Sequence, residues 1–164
     1  MPNKKASPKQ RKISPAIAER RKLKIRHAAG KREESPLQLK QSKIHSFGCY
    51  TRVPLKKGKV VTHYTGTKLT IKDADEIYEK ARRTYLFGLT DCKHVIDGDS
   101  EAAFINHSCD PNCETDVIRA RVIITAIRNI AAGEELTYDY NLYDGELNDH
   151  SLCYGGTKAC RGSM

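Results

Sequence analysis

The sequence lacks any apolar run long enough to cross a membrane as a helix, so we expect no membrane span. It also lacks an apolar segment followed by a small-residue cleavage site near its start, so we expect no secretory signal. No internal repeat is visible, and 164 residues correspond to one domain. Six cysteines in such a chain favour reduced thiols or metal ligands over disulfides. We expect an intracellular protein of the cytoplasm, nucleoid or nucleus, and delivery into a host cell stays open.

Acidic residues are scarce at one end of the chain. Residues 1–45 hold 14 Lys and Arg against 3 Asp and Glu, whereas residues 46–164 hold 15 against 17. The net charge of +9 therefore comes from a basic, largely disordered N-terminal arm, residues 1–41, in which a helix is predicted over residues 15–29. A field of this sign attracts polyanions. Two interpretations stay open, namely contact with nucleic acid and a solvated tail that keeps the protein soluble.

Short runs of β-forming residues, separated by Gly, Asp-Gly and Pro-Asn breakers, dominate the rest of the chain. We predict a folded domain over residues 42–148 and a distinct tail over residues 149–164. One internal helix is predicted over Asp73–Arg83, with Asp73 as its cap and Ile77 on its apolar face. The pattern indicates a mainly β, β-rich α+β fold of several small sheets with one short helix. The runs predicted as strands are Cys49–Val53, Val60–Tyr64, Tyr85–Leu89, His94–Ile96, Arg121–Ala126 and Glu135–Tyr138.

Three stretches contain groups that could do chemistry. Phe104–Cys113 reads FINHSCDPNC, and such polar groups after apolar residues form either a locally hydrogen-bonded turn or a set of donors for a heterocyclic ligand. Gly133–Tyr140 reads GEELTYDY, and an extended chain puts Tyr138 and Tyr140 on one face, either as strand packing or as acceptors for a cation. Cys153–Cys160 reads CYGGTKAC, which is either half of a metal site or a frayed terminus.

In this order and spacing, the three stretches closely resemble the SET-domain protein-lysine methyltransferases, with matching segments across residues 42–164. The chain is most similar to compact, stand-alone SET proteins of the bacterial type. Residues 42–148 match the SET domain, and residues 149–164 match a degenerate post-SET segment. The resemblance implies the SET fold of several small sheets with a pseudoknot-like C-terminal core. It also implies a narrow channel in which S-adenosylmethionine and a substrate lysine meet from opposite sides.

The resemblance assigns roles to residues of the site. It implies that Tyr140 is the catalytic tyrosine near the transferring methyl group and that Tyr85 is a second tyrosine of the channel. Tyr138 stands where the family carries Phe or Tyr as a switch of the product level. Because a phenol there leaves less room for added methyl groups, we expect mainly mono-methylation. The residues that it assigns to cofactor contact are Phe47, Gly48, Cys49, Tyr64, Asn106 and His107.

The resemblance also places Cys109 beside Cys153 and Cys160 as a ligand of a post-SET zinc. Gly155 stands where the family carries a further cysteine ligand, so the zinc site of this chain is incomplete and we expect weak or absent zinc. A serine at position 46 fits its loop only with a negative φ or under strain. The further departures from the family pattern are Ser46 for a glycine of the cofactor loop, Thr67 for a glutamate and Ala103 for an arginine.

We therefore hypothesise an S-adenosylmethionine-dependent protein-lysine N-methyltransferase whose substrate is a lysine of a histone or histone-like basic protein of chromatin. The departures from the family pattern motivate a second hypothesis. This is a catalytically weak SET-like protein that binds DNA or chromatin through residues 1–41. A third hypothesis is a small zinc-binding adaptor that uses no cofactor.

Overall fold

Ten short strands in four small sheets, with one α-helix and one 3-10 helix, make up the described part of the protein. The structure is a computed structural model, and it describes residues 35–79, 85–142 and 152–164. The helix predicted over residues 15–29 and the last residues of the predicted Asp73–Arg83 helix lie outside these ranges. Within them, the prediction of a β-rich fold of several small sheets with one short helix is confirmed.

Strands β1 (Leu37–Gln41) and β2 (Phe47–Thr51) form an antiparallel hairpin. The predicted basic arm, residues 1–41, includes Leu37–Gln41, and this part of the prediction is wrong because these residues form a strand. The β1 sequence LQLKQ alternates over only two apolar residues, and of these Leu37 is buried whereas Leu39 is 40 % exposed, so the signal of a strand is weak.

A three-stranded sheet contains most of the core, in the order β3 (Val60–Tyr64), β9 (Arg121–Ala126) and β8 (Cys113–Ile118). Alternate residues of β9 are buried, so one face of this central strand packs into the core. Strands β8 and β9 are joined by Arg119-Ala120, both with positive φ, which is the backbone of a type I′ turn. Strand β8 is absent from the predicted strands because this turn carries neither Asn nor Gly, the residues that normally mark it.

A second three-stranded sheet has the order β4 (Gly66–Thr70), β6 (His94–Gly98) and β5 (Leu86–Gly88). Helix α1 (Ile71–Tyr78) follows β4 directly. None of the helices among the described residues is long and apolar enough to cross a membrane.

Helix α1 begins earlier than predicted. Its cap is Thr70, whose hydroxyl oxygen accepts a hydrogen bond of 3.1 Å from the Asp73 N–H, so the prediction of Asp73 as the cap is wrong. Ala74 is its buried residue, whereas Ile77 is 56 % exposed and does not form the predicted apolar face.

A two-residue parallel pairing brings the two central stretches of the sequence together. Strand β7 (Asn106–His107) follows the 3-10 helix Glu101–Phe104, and it pairs with β10 (Thr137–Tyr138). Asn106 lies opposite Thr137, and His107 lies opposite Tyr138. All four residues are buried. The two motifs therefore share one wall of the domain.

Replacing the cap of α1 tests the observed start of the helix. Thr70→Ala removes the oxygen that accepts from the Asp73 N–H, so we expect the free energy of unfolding to fall by about 1 kcal/mol in urea titrations. Thr70→Ser keeps a capping hydroxyl and serves as the control, with a stability close to the wild type. A loss in Asp73→Ala without one in Thr70→Ala would restore the earlier prediction.

Candidate active site

A cavity of about 680 Å³ opens between the β1–β2 hairpin, the β7–β10 pair and the C-terminal tail. Its walls contain both polar groups and a set of aromatic rings. The tail contributes Leu152, Tyr154 and Met164. The residues predicted for cofactor contact or catalysis that line this cavity are Phe47, Tyr64, Tyr85, Asn106, His107, Tyr138 and Tyr140.

Asn106 and His107 stand in the cavity wall because β7 is held in place on β10. The Asn106 amide nitrogen donates to Glu135 Oε1 at 2.8 Å and to the Phe47 carbonyl at 3.2 Å. The Tyr140 N–H donates to His107 Nδ1 at 3.2 Å. Both side chains are thus oriented by residues far away in the sequence.

Gly48 and Cys49, which were predicted to contact the cofactor, do not line the cavity. A Cβ atom at Gly48 would overlap the Glu135 carboxylate, so this glycine leaves room for that side chain. The Cys49 side chain is fully buried in the core, and burial raises the pKa of its thiol to about 12. The structure therefore gives both residues a packing position behind the cavity wall.

Asn106 and His107 belong to a polar part of the cavity wall, which we call its polar end. Aromatic rings form another part of the wall, which we call its aromatic end. The Tyr138 and Tyr140 rings lie 4.9 Å apart between centroids, which agrees with the prediction that they share one face. The Tyr140 hydroxyl donates to the Ile105 carbonyl at 2.7 Å, and the Tyr64 hydroxyl donates to the Tyr85 carbonyl at 2.7 Å.

Burial raises the pKa of the phenols of Tyr64, Tyr138 and Tyr140. They therefore stay neutral at physiological pH and act through hydrogen bonds and their rings, not as charged bases. This end of the cavity can surround an amine without offering it a formal negative charge.

The departures from the family pattern have different structural consequences. Ser46 has a φ of 47°, in the left-handed region, so the expected strain is present at this cavity-lining residue. Ala103 lines the cavity as well. Thr67 is exposed in β4, opposite Asp97, and does not line the cavity.

The three predicted cysteine ligands come together although Cys109 is far from the tail in sequence. Cys109 Sγ and Cys153 Sγ are 3.6 Å apart, close to the ~3.8 Å sulfur–sulfur edge of a tetrahedral zinc site with Zn–S bonds of about 2.3 Å. Cys160 interacts with both thiols. Backbone N–H groups of the tail donate to these sulfurs. The hydrogen bond from the Gly162 N–H lowers the pKa of the Cys160 thiol. The Cys109–Cys153 distance thus fits two ligand positions of one zinc ion, and the residues whose ligand atoms lie within 4.8 Å of one another are His107, Cys109 and Cys153.

His107 Nε2 lies 3.3 Å from Cys109 Sγ, so His107 is a candidate metal ligand beside Cys109 and Cys153. Burial lowers the pKa of His107, so its ring is neutral at pH 7. Because Nδ1 accepts the Tyr140 N–H, the ring proton belongs on Nε2, which then donates to the Cys109 sulfur. In this tautomer both ring nitrogens of His107 are engaged in hydrogen bonds, so neither has a free lone pair for a metal. Gly155 offers no ligand atom either. The incomplete zinc site stays a prediction.

Arg161 attaches the tail to the rest of the site. Its guanidinium makes two hydrogen bonds to the Asp139 carboxylate, of 2.7 and 2.9 Å, and these lower the pKa of Asp139. Asp139 lies between Tyr138 and Tyr140, on the opposite side of the extended chain. Arg161 is absent from the predicted site because only the folded chain brings it near Asp139.

Asn112 is a second residue that the sequence analysis missed. Its side chain is 2 % exposed, donates to the Glu135 carbonyl at 2.7 Å and accepts the Thr137 N–H at 2.9 Å. Because the Asn112 amide bonds the backbone through both its nitrogen and its oxygen, it adds two hydrogen bonds beside the β7–β10 pair. The turn sequence Asp-Pro-Asn gave no signal of this contact.

Comparisons with known proteins give matches that include the residues of the β7–β10 pair. The family model described as SET domain matches residues 46–141. A histone-lysine N-methyltransferase of Neurospora crassa, H3 lysine-4 specific, is 34 % identical over 148 residues, which covers 82 % of this chain and 11 % of the relative. Histone-lysine N-methyltransferase ATX2 of Arabidopsis thaliana is 38 % identical over 135 residues, which covers 74 % of this chain and 12 % of the relative.

Histone-lysine N-methyltransferase 2D of Homo sapiens is also 38 % identical over 135 residues, covering 75 % of this chain and 2 % of that protein. The chain therefore spans only a small part of the length of each of these relatives.

Substituting Gly155 tests the incomplete zinc site. A Cβ atom there would lie 3.4 Å from Cys153 Sγ, so Gly155→Cys places a thiol beside the cluster. We expect zinc per chain to rise towards one and to resist a chelator, because a fourth thiolate closes the tetrahedral shell. Elemental analysis after dialysis against the chelator measures this. Gly155→Ser is the control, and stoichiometric, chelator-resistant zinc in the wild type would contradict the prediction.

Proposed function

Because the chain belongs to the SET-domain family, we propose that it is a protein-lysine N-methyltransferase that uses S-adenosylmethionine. The observation that carries this proposal is the pairing of β7 with β10, which brings Asn106, His107 and Tyr138 into the lining of one cavity. A polar end suited to the cofactor and an aromatic end suited to an amine thereby face the same space. We propose a histone or histone-like basic protein as the substrate.

The polar end of the cavity has the groups that the cofactor needs. When bound, S-adenosylmethionine supplies an electrophilic methyl group on a sulfonium. Asn106, His107 and Phe47 would hold the cofactor, since they line the cavity beside the β1–β2 hairpin. The buried Tyr64 closes the floor of the same cavity.

The aromatic end would keep the substrate amine neutral. The amine of a lysine that enters among the rings of Phe87, Tyr138 and Tyr140 loses its contact with water. Desolvation of the amine favours its uncharged form, which can act as the nucleophile. The Tyr140 hydroxyl donates its hydrogen bond to the Ile105 carbonyl, so the phenol oxygen can still accept a hydrogen bond from the amine. Holding the amine in one orientation supplies much of the rate in a reaction of this kind.

The mouth of the cavity supports a protein substrate. Leu142, Leu152 and Tyr154 line it and are 45 to 63 % exposed, so they can pack against a peptide on either side of the lysine. Two of them belong to the tail that Arg161 fastens to the domain. We therefore propose that this tail forms part of the lysine channel wall.

Replacing Tyr140 is the main test of the function. Tyr140→Phe removes the hydroxyl oxygen at the aromatic end, so we expect methyl transfer to histones to fall by at least about 100-fold. The measurement is transfer of a labelled methyl group from S-adenosylmethionine to a histone mixture. Circular dichroism of the variant controls for folding, since it also loses a bond to the Ile105 carbonyl.

Two outcomes would contradict the proposed activity. One is the absence of label transfer by the wild type to histones or to a cell lysate, and the other is equal transfer by the wild type and Tyr140→Phe. If the wild type also bound DNA with a steep salt dependence that a truncation of residues 1–34 abolished, the alternative of a DNA- or chromatin-binding SET-like protein would be favoured.

The number of methyl groups added tests the role of Tyr138. We propose mono-methylation because the Tyr138 phenol is 7 % exposed and occupies space beside Tyr140. Tyr138→Phe removes one oxygen from that space, so we expect di- or trimethyl products to appear. Mass spectrometry of the modified peptide counts the methyl groups. Predominantly trimethyl product from the wild type would overturn this part of the proposal.

A further inference from the structure

Cys109 and Cys153 hold their thiols in contact although they are distant in the sequence. Their sulfur atoms are 3.6 Å apart, which is van der Waals contact, and 44 positions separate the two residues in the chain. A disulfide has a sulfur–sulfur bond of about 2.05 Å, so the two atoms need to approach by roughly 1.5 Å. Rotation of the two side chains supplies a shift of this size. The pair therefore has a geometry from which a disulfide can form.

An oxidant can reach these two thiols, because both residues are partly exposed. Cys49 and Cys113 differ, since they have no exposed surface and their thiols are protected in the core. Cys92 is exposed in the turn before β6, where its sulfur lies 3.9 Å from the Thr90 carbonyl oxygen. Cys92 thus provides an exposed thiol outside the site with which the pair can be compared.

The position of Cys153 gives such a bond a structural consequence. Cys153 lies between Leu152 and Tyr154, which both line the cavity, whereas Cys109 follows β7 in the domain. A bond between the two sulfurs therefore joins the cavity-lining part of the tail to the domain covalently. In the reduced chain the same attachment consists of noncovalent contacts, among them a partly exposed ion pair, and such contacts open more readily.

Gly155 leaves the pair available for this chemistry. A complete tetrahedral site would bind both thiolates to the metal and so keep them from bonding to each other. Gly155 offers no ligand atom, and both ring nitrogens of His107 are engaged in hydrogen bonds. The departure from the family pattern at Gly155 thus frees two thiols that a complete zinc site would occupy.

We propose that Cys109 and Cys153 form a reversible disulfide that fastens the C-terminal tail to the cavity wall when the chain is oxidised. The oxidant is hydrogen peroxide. One sulfur attacks a peroxide oxygen and becomes a sulfenic acid as water leaves, and the other sulfur then displaces a second water to form the S–S bond. The two thiols together lose two electrons and two protons, and the peroxide is reduced to two water molecules. A dithiol reverses the step by thiol–disulfide exchange.

Mass spectrometry of the full chain tests the bond itself. The reduced protein, dialysed against a chelator, is treated with an equimolar amount of hydrogen peroxide and digested without reductant. We expect the loss of two of the six thiols and a linked pair of peptides that contain Cys109 and Cys153. Dithiothreitol should restore all six thiols. A chain that keeps all six thiols, or that keeps zinc through the dialysis, contradicts the proposal.

Cysteine variants identify the pair. Cys109→Ser removes the sulfur on the domain side, so we expect no bond between the domain and the tail. Cys160→Ser and the matched control Cys92→Ser leave both sulfurs in place and should form the link as the wild type does. A Cys153–Cys160 bond closes a loop within the tail without joining it to the domain. This bond as the main product, or a dimer linked through Cys92, overturns the proposal.

Hydrogen exchange measures whether the bond fastens the tail. The Cys153 N–H donates to the Gly162 carbonyl at 3.1 Å, so its exchange requires this part of the tail to open. We expect the amides of residues 152–164 to exchange at least about tenfold more slowly in the oxidised wild type than in the reduced one. Peroxide should leave their exchange in Cys109→Ser unchanged. Equal exchange in the two states of the wild type overturns the proposal.

Methyl transfer tests the effect on the site, and this part of the inference rests on the proposed function. Because the substrate no longer has to order the tail, we expect oxidation to lower the KM for a histone at least about threefold, with kcat changed by less than about twofold. An active enzyme with the same KM in both states overturns the control of substrate binding. A chain that forms the bond and protects its tail, but transfers no methyl group in either state, overturns the proposed function instead.

Discussion

The parallel pairing of β7 with β10 is the contact on which the rest of the structure depends. Two residues on each strand form too short a ladder to be stable alone. The pair persists because Ile105 and Leu136, the residues just before each strand, are completely buried, and because the Asn112 side chain bonds the backbone next to β10. It places the polar group of Asn106 and the ring of Tyr138 in one wall. Without it, the polar and aromatic ends of the cavity would not face the same space.

The C-terminal tail depends on the same pair through different chemistry. Asp139 follows β10 directly and receives both hydrogen bonds from Arg161. Cys109 follows β7 closely and receives the Arg161 N–H at 3.3 Å as well as the His107 ring proton. The tail is thus held by an ion pair and by sulfur contacts, whether or not a metal completes the cluster. This attachment explains how a chain with Gly155 at a ligand position still presents Leu152 and Tyr154 to the cavity.

Much of the fold followed from local patterns, whereas most residues of the site were assigned by the resemblance to a family. The β-rich class, the helix after β4 and the shared face of Tyr138 and Tyr140 are consequences of spacing, and the structure agrees with them. Local patterns failed at β1, where the alternation covers only Leu37 and Leu39, and at β8, whose turn is Arg119-Ala120. Gly48 and Cys49 follow the cavity-lining Phe47 in sequence, but the Glu135 carboxylate occupies the space beside Gly48 and the Cys49 side chain is buried in the core.

By itself, the sequence determined which chemical groups are available and in what local order: an Asn-His pair after apolar residues, two tyrosines two positions apart and two cysteines in a glycine-rich loop. Only the tertiary structure decided which of these groups meet and how they are oriented. Glu135 reaches Ser42 across 93 positions, Cys153 reaches Cys109 across 44, and Asn106 reaches Glu135 across 29. The physical reason is that propensity and periodicity act between near neighbours in the chain. The direction of a buried amide or carboxylate is set instead by hydrogen-bond partners that arrive only when distant strands pair.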